Sequence, residues 1–243
     1  MFIFNLKRTT KDLFGHLILI VFPVVLIAFF NFIYTRSSVF SDFHGKSLPF
    51  LTVLTVGFSL TFQIHGASLG FETIGLDFFS PMKDRLSASP GDLRKLVISI
   101  LMAATIVSFL QTLVVLLFSV TILNSPLPKL YLVVPVMLLS IIFHQLLGSV
   151  IMLSSGSVKT SNAIISTYAS VAPMLVGLYF PLPDSPFFLF VRNYSTPMAL
   201  ANTAIKGIIG NDTSIVLSTL IALLVLTIAL FLIIRPLIKK VAS

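Results

Sequence analysis

"SPMKDRLSASPGDLRKLV", Ser80 to Val97, is a charged interruption between two long apolar runs, and its reading sets the architecture of the chain. Ser-Pro occurs in it twice, at Ser80-Pro81 and Ser89-Pro90. Serine supplies a capping oxygen and proline at the first helical position gives up no hydrogen bond, so each pair predicts a helix start. The first predicts a helix over Pro81 to Ala88, about 12 Å long at 1.5 Å per residue. The second, with Asp92 three residues after Ser89 in capping-box spacing, predicts the start of a long apolar helix. Two long helices are thus expected to meet at a stiff polar knuckle carrying Lys83, Asp84 and Arg85.

The flanking runs are part of a pattern that fills the chain. Of 243 residues, 56% are hydrophobic and 10% charged, and the mean hydropathy is +1.06, values of a multi-span membrane protein rather than a soluble domain. Six runs reach the roughly 20 residues that a bilayer core requires: 17 to 35, 48 to 70, 96 to 122, 130 to 153, 163 to 182 and 214 to 234. Each is expected to be helical, because an unpaired backbone group in hydrocarbon costs several kcal/mol. The fold class is therefore all-α and polytopic, a single transmembrane unit over residues 1–243.

The first run follows Lys7, Arg8 and Lys11, as a signal peptide would. It exceeds an h-region of about 15 residues, and "NFIYTRSS" offers no A-x-A cleavage site, so it is expected to be a retained span. With the amino terminus in the cytosol, 11 of the 16 basic residues lie inside, which orients the chain with both termini cytosolic in the plasma membrane. Anionic head groups then answer the net charge of +8 without nucleic acid. Cysteine is absent, so no disulfide or thiolate metal site is available.

Residues 1–16 place Phe2, Ile3, Leu6, Leu13 and Phe14 on one side of a helical wheel and Lys7, Arg8, Lys11 and Asp12 on the other, predicting an interfacial helix. Two connections can hold structure: Phe71 to Lys95 inside and Pro183 to Thr213 outside. Neither reaches the roughly 50 residues of a small domain, so any ATPase must be another chain. Pro23, Pro135 and Pro173 fall inside spans as expected kinks.

"FETIGLDFFSPMKDRLSASPGDLRKLVISIL" resembles the inner loop of type-2 ABC exporter permeases, where an acid ends the second span and a basic-Leu-x-x-Ser-Pro stretch precedes the third. Glu72 matches the acid, and Arg85, Leu86, Ser89 and Pro90 the later part. "GLYFPLPDSPFFLFVRNYSTPMALANTAIKGI" is similar to the family's stretch after the fifth span, through Gly177, Phe180, Pro181, Pro186, Pro197 and Ala201. The resemblance implies an exporter permease without catalytic residues of its own, moving a peptide, antibiotic, lipid-like or other amphipathic substrate outward. It implies two cytosolic ABC ATPases holding ATP and magnesium, and a second permease subunit, identical or related. Residues 81–88 would be the coupling helix, with Glu72, Lys83, Asp84, Arg85, Leu86, Ser89 and Pro90 at the ATPase. Residues 183–205 would form outer re-entrant helices, with Gly177, Phe180, Pro181 and Pro197 at the outer gate.

Other chemistries compete with this. "HGKS" at His44 to Ser47 ends like a Walker A motif, but Phe40 stands where the first glycine belongs. "GASL" at Gly66 to Leu69 is similar to the nucleophile stretch of rhomboid-like intramembrane serine proteases, with Ser68 as nucleophile and His144 as base. The Gly66 and Gly70 spacing equally fits a close helix contact. An ion-coupled carrier keeps acids at mid-membrane, whereas all eight acids here lie in loops or at span margins. His65, His144, Asn31, Gln63, Gln111 and Gln145 are the polar intramembrane groups, expected mainly as interhelical hydrogen-bond partners. Asn31, Gln63 and His65 are the candidates for a substrate pathway. No ligand pair at helical spacing points to a metal. "NYS" at Asn193 and "NDT" at Asn211 fit glycosylation acceptors on the outer side.

Overall fold

Helix starts in this chain are made by short side chains that accept an N–H of the first turn. Asp12 takes the Gly15 N–H at 3.0 Å, Asp92 that of Arg94 at 2.9 Å, and Ser157 that of Thr160 at 3.3 Å. Thr196 takes Ala199 at 3.0 Å and Asp212 takes Ile215 at 3.1 Å. Each satisfies a donor that the helix cannot. Gly156 (φ 65°), Gly177 (φ 77°) and Asn211 (φ 62°) close helices in the left-handed conformation.

The structure is a computed structural model that describes residues 1–36, 48–81 and 92–242. Its helices are α1 (Phe2–Thr9), α2 (Leu13–Arg36), α3 (Phe50–Gly66), α4 (Ser68–Phe78), α5 (Leu93–Thr121), α6 (Leu130–Ser155), α7 (Val158–Val176), α8 (Pro186–Tyr194), α9 (Pro197–Gly210) and α10 (Thr213–Ala242). No strand occurs among the described residues. Among the described residues, five segments are long and apolar enough to cross a membrane: Leu13–Ile33, Phe50–Phe78, Leu93–Thr121, Leu130–Ser155 and Thr213–Val241. The protein is a helical, multi-pass membrane protein. The expected fifth span, 163 to 182, corresponds to α7, which has 19 residues and is more polar than those five. Pro23, Pro135 and Pro173 lie inside α2, α6 and α7.

Several expected boundaries need correcting. The run at 48 to 70 is two helices, α3 and α4, which break at Ala67 and continue to Phe78. Its polar tail stays helical because Glu72 and Asp77 find partners on neighbouring helices. The single helix expected over 1–16 is divided: α1 ends at Thr9, and Leu13 and Phe14 open α2, since Asp12 caps a new helix. Asp92 itself, not Ser89, caps the helix that opens at Leu93. The last span runs on through Pro236 to Ala242. His44 to Ser47, and Lys83, Asp84, Arg85, Leu86, Ser89 and Pro90, with all but the first residue of the expected coupling helix at 81–88, lie outside the described residues.

The broken α3–α4 unit is the axis of the bundle. Its apolar window is 78% buried, against 11% for α2 and 22% for α10, so those two form the perimeter that faces lipid. α3 and α4 pack on α5, α6 and α7, and α9 inserts against α3, α6, α7 and α10. Ile64, Phe71, Ile74, Ile100, Met137 and Met152, all fully buried, fill the centre.

α1 is fastened by polar contacts, not apolar ones. Its buried residues are Asn5 and Thr9, whereas Ile3 and Phe4 are exposed. The Asn5 amide donates to Ser99 Oγ of α5 at 2.9 Å, and Arg8 pairs with Asp77 of α4 at 2.7 Å. His16 of α2 bonds the Thr9 carbonyl at 2.7 Å through Nε2 and the Gln111 amide of α5 at 2.8 Å through Nδ1. α1 thus grips the end of α4 and the start of α5, the two helices that flank residues 82–91.

Asp77 is buried, so losing Arg8 strands a carboxylate. Arg8→Ala is expected to destabilise the protein by about 2 kcal/mol, and Arg8→Ala with Asp77→Asn to recover most of that, because no charge is then left buried. Thermal unfolding in detergent measures both.

Candidate functional site

The break in α3–α4 is where backbone chemistry and membrane depth conflict. In a continuous helix the Gly66 carbonyl would accept the Gly70 N–H. Here that N–H turns to the Ala67 carbonyl at 3.1 Å. The Gly66 oxygen is taken up instead by Gln145 Nε2 of α6 at 2.9 Å, with Ser108 Oγ of α5 at 3.4 Å. The same amide donates its second hydrogen to Ser108 at 3.0 Å, which closes a three-helix polar pin. Two glycines let it close. A Cβ on Gly70 would stand 2.5 Å from Gln145 Oε1, and one on Gly148 would stand 2.8 Å from Phe71 and 3.2 Å from the Ala67 Cβ.

Beside the break lies a groove between α2 and α7, floored by α3 and α4. The two walls flank α3 without packing closely on each other. Its chamber nearer α1, called inner for that position in the fold, is about 230 Å³ and is lined by Asp12, Gly15, Ile18, Leu19, His65, Ser68, Leu69, Glu72, Asn162, Ile165 and Ser166. Its outer chamber, about 290 Å³, is lined by Phe22, Leu26, Phe58, Thr61, Phe62, His65, Ala169, Ser170, Met174 and Tyr179. His65 belongs to both, two residues before the break at Ala67. Its ring lies 5.7 Å from that of Phe62, which meets Phe22 edge-on at 5.7 Å.

The residues expected along a substrate pathway separate in the structure. His65 faces the groove. Gln63 is buried behind it, donating to Met137 Sδ at 3.2 Å and lining a pocket of about 10 Å³ with Ser59, Ser108 and Gln111. Asn31 is half-buried on α2, outside the residues that line either chamber. Glu72, expected at the ATPase contact, lines the inner chamber and accepts the Asn162 amide of α7 at 2.9 Å. Ser68 lines it too, but its suggested partner His144 lies elsewhere, with its ring nitrogens at the Ser140 carbonyl (2.8 Å) and the Tyr168 hydroxyl (3.4 Å). The structure does not pair Ser68 with His144.

The residues expected at an outer gate lie at the end of α7 and around α8 and α9. Gly177 closes α7 with the Leu178 N–H on the Pro173 carbonyl at 2.9 Å. Phe180 and Pro181 are exposed beyond it, and Pro197 is the first residue of α9. Every residue of α9 from Met198 to Ile205 is buried. Lys129, in the loop before α6, donates to the Ile208 carbonyl at 2.9 Å and to the Asn211 side chain, so a cation sits on the helix end that favours it. Lys206 of α9 is half-buried, and burial first, then the nearby Arg192 guanidinium, lower it from the usual lysine value to about 8.

Sequence reasoning missed Asn162, Asn5 and the Arg8–Asp77 pair. Their only signal was a polar residue at a helical position that apolar patterning would fill otherwise. No family model matches the chain, and no curated protein or solved structure matches it.

Gln145→Leu keeps volume and removes the pin, and is expected to lower stability by about 2 kcal/mol through the orphaned Gly66 carbonyl. Gly70→Ala displaces the same amide, so the double variant loses less than the two single losses added, read by melting of all three in detergent. Lys206 supplies a pH test. Its folded value of about 8 lies below the unfolded 10.5, so the unfolded chain holds more protons between them and stability rises with pH across that window. Lys206→Met is expected to raise the melting temperature at pH 7 and flatten that rise.

Proposed function

We infer that the chain is the transmembrane permease subunit of a type-2 ABC exporter, crossing the plasma membrane six times with both termini in the cytosol. α7 serves as the fifth span, and α8 and α9 as re-entrant helices at the outer end. It works with a second permease subunit, identical or related, and with two cytosolic ATPases that bind ATP and magnesium. The cargo is an amphipathic molecule moved outward.

The observation that carries this reading is the attachment of α1. An interfacial helix bonded to the end of α4 through Arg8–Asp77 and to the start of α5 through Asn5–Ser99 joins both limbs of residues 82–91 into one body. A push on the coupling helix at 81–88 then reaches α4 and α5 together instead of bending one of them. α4 is hinged at Ala67, and it floors the inner chamber of the groove. Displacing α4 changes the width of that chamber while the outer half, held around α9, stays in place. A motor below would thereby open and close a path beside His65.

The test is isolation from native membranes in a gentle detergent, with mass-spectrometric identification of bound chains. An ABC ATPase is expected to co-purify in equal number with the permease. Arg85→Ala with Leu86→Ala is expected to remove that ATPase and abolish transport while leaving membrane insertion and the melting temperature unchanged. A variant that retains the ATPase and transports as the parent does would refute the coupling role.

A further inference from the structure

The lining of the groove carries information about the ligand. The chain has 16 basic residues and 8 acidic ones, so a surface sampled at random would be basic. The inner chamber reverses that balance, with Asp12 and Glu72 among its lining residues and no lysine or arginine. Glu72 is held in place by Asn162, a neutral donor that leaves its charge intact. The outer chamber is lined by no Asp, Glu, Lys or Arg, and presents the rings of Phe22, Phe58, Phe62 and Tyr179. Aromatic faces attract an organic cation and bury an apolar body equally well.

We propose that the groove is a binding site for an amphipathic organic cation, with the cationic head in the inner chamber beside Glu72 and Asp12 and the apolar body against the aromatic rings of the outer chamber. The order follows from the chain. Phe58 and His65 are seven residues apart on α3, about 10 Å along the axis, and Glu72 lies beyond the break. That length and the two chamber volumes suit a molecule of drug size. Simple cations lack the body that the outer chamber selects, and anions of the same shape meet two carboxylates. The cargo class rests on the permease reading, but the binding site does not require a motor.

The experiment uses the full chain in a non-ionic maltoside detergent and equilibrium dialysis with tetraphenylphosphonium. Tetraphenylborate, of matching shape and opposite charge, is the control. Saturable binding of the cation at one site per chain is expected, with no saturable binding of the borate. Glu72→Gln weakens the cation by about tenfold, Ser166→Arg, an exposed position on the chamber wall, abolishes it, and Asp184→Asn in the outer loop leaves it unchanged. Equal binding of both probes, or unaltered binding in Glu72→Gln and Ser166→Arg, overturns the site as mere apolar partition. If Glu72→Gln does not fold, Ser166→Arg decides alone. Cation binding by a chain that brings down no ATPase would sink the permease reading and leave the site standing. A co-purified ATPase without cation binding would do the reverse.

Discussion

The inner half of this protein depends on what happens to the Gly66 carbonyl. In water a broken helix rehydrates at no great cost, but at membrane depth the freed oxygen must find a donor in the protein. The Gln145 amide supplies it and takes Ser108 along, so α3, α5 and α6 meet at one backbone atom. The direction of α4 follows from this contact, with Gly70 against the amide and Gly148 against Phe71. Downstream of the break, Glu72 reaches Asn162 on α7 and Asp77 reaches Arg8 on α1. Moving α4 without α6 would strand a carbonyl and an amide, each costing about 1–3 kcal/mol. The two must therefore travel as one body, or α4 must pivot about the pin itself.

The outer half is fixed by different means. Thr196 caps the start of α9, and the backbone N–H of Met198 faces the Tyr168 hydroxyl, which lies 3.4 Å from His144. Lys129 closes the other end on the Ile208 carbonyl. A 14-residue helix that is too short to cross the bilayer is thus held at both termini by side chains from α6, α7 and the loop before α6. On the perimeter, α2 is tied near its start by His16, which bonds the Thr9 carbonyl and Gln111 of α5. α2 has only 11% of its apolar window buried and meets α7 hardly at all, and the groove opens along that seam.

The long helices were legible because lipid allows few alternatives: a run of about 20 apolar residues is a helix, and five of them fall where hydropathy puts them. The helix starts at Asp12 and Asp92 are read otherwise from the sequence, as the middle of one helix over 1–16 and as the third residue after a Ser89 cap, although aspartate is itself a favoured capping residue. The break at Ala67 was not legible, since nothing local distinguishes "HGASLG" from a helix contact; what permits it is an amide 79 residues away. The tail of α4 was hidden for the same reason. Glu72 and Asp77 look like loop residues until their partners on α7 and α1 are known. Of the three polar groups singled out for a pathway, His65 faces the groove and Gln63 faces Met137. Residues two apart on one helix point to different sides, and periodicity cannot say which side is empty. The basic-Leu-x-x-Ser-Pro stretch lies outside the described residues, so its part in the fold rests on sequence alone.

The distribution of charge bears on how such a molecule can be moved. Apart from His65 and His144, the polar groups deep in α3, α5 and α6 are amides and hydroxyls: Gln63, Gln111, Gln145 and Ser108. Neutral groups can hold a broken helix, but the membrane potential exerts no net force on them and they bind no driving proton. Among the described residues, an ion pair between helices, Arg8–Asp77, sits where α1 meets α4. The ionisable group midway along α4 is Glu72, which accepts the Asn162 amide of α7 and lines the chamber. The break at Ala67 separates His65 from Ser68 and Glu72, so the chamber is lined from both sides of it. The polar stitching of α1 to both α4 and α5, through Arg8–Asp77 and Asn5–Ser99, ties the ends of those two helices to one short helix, so neither end can shift without breaking a polar contact.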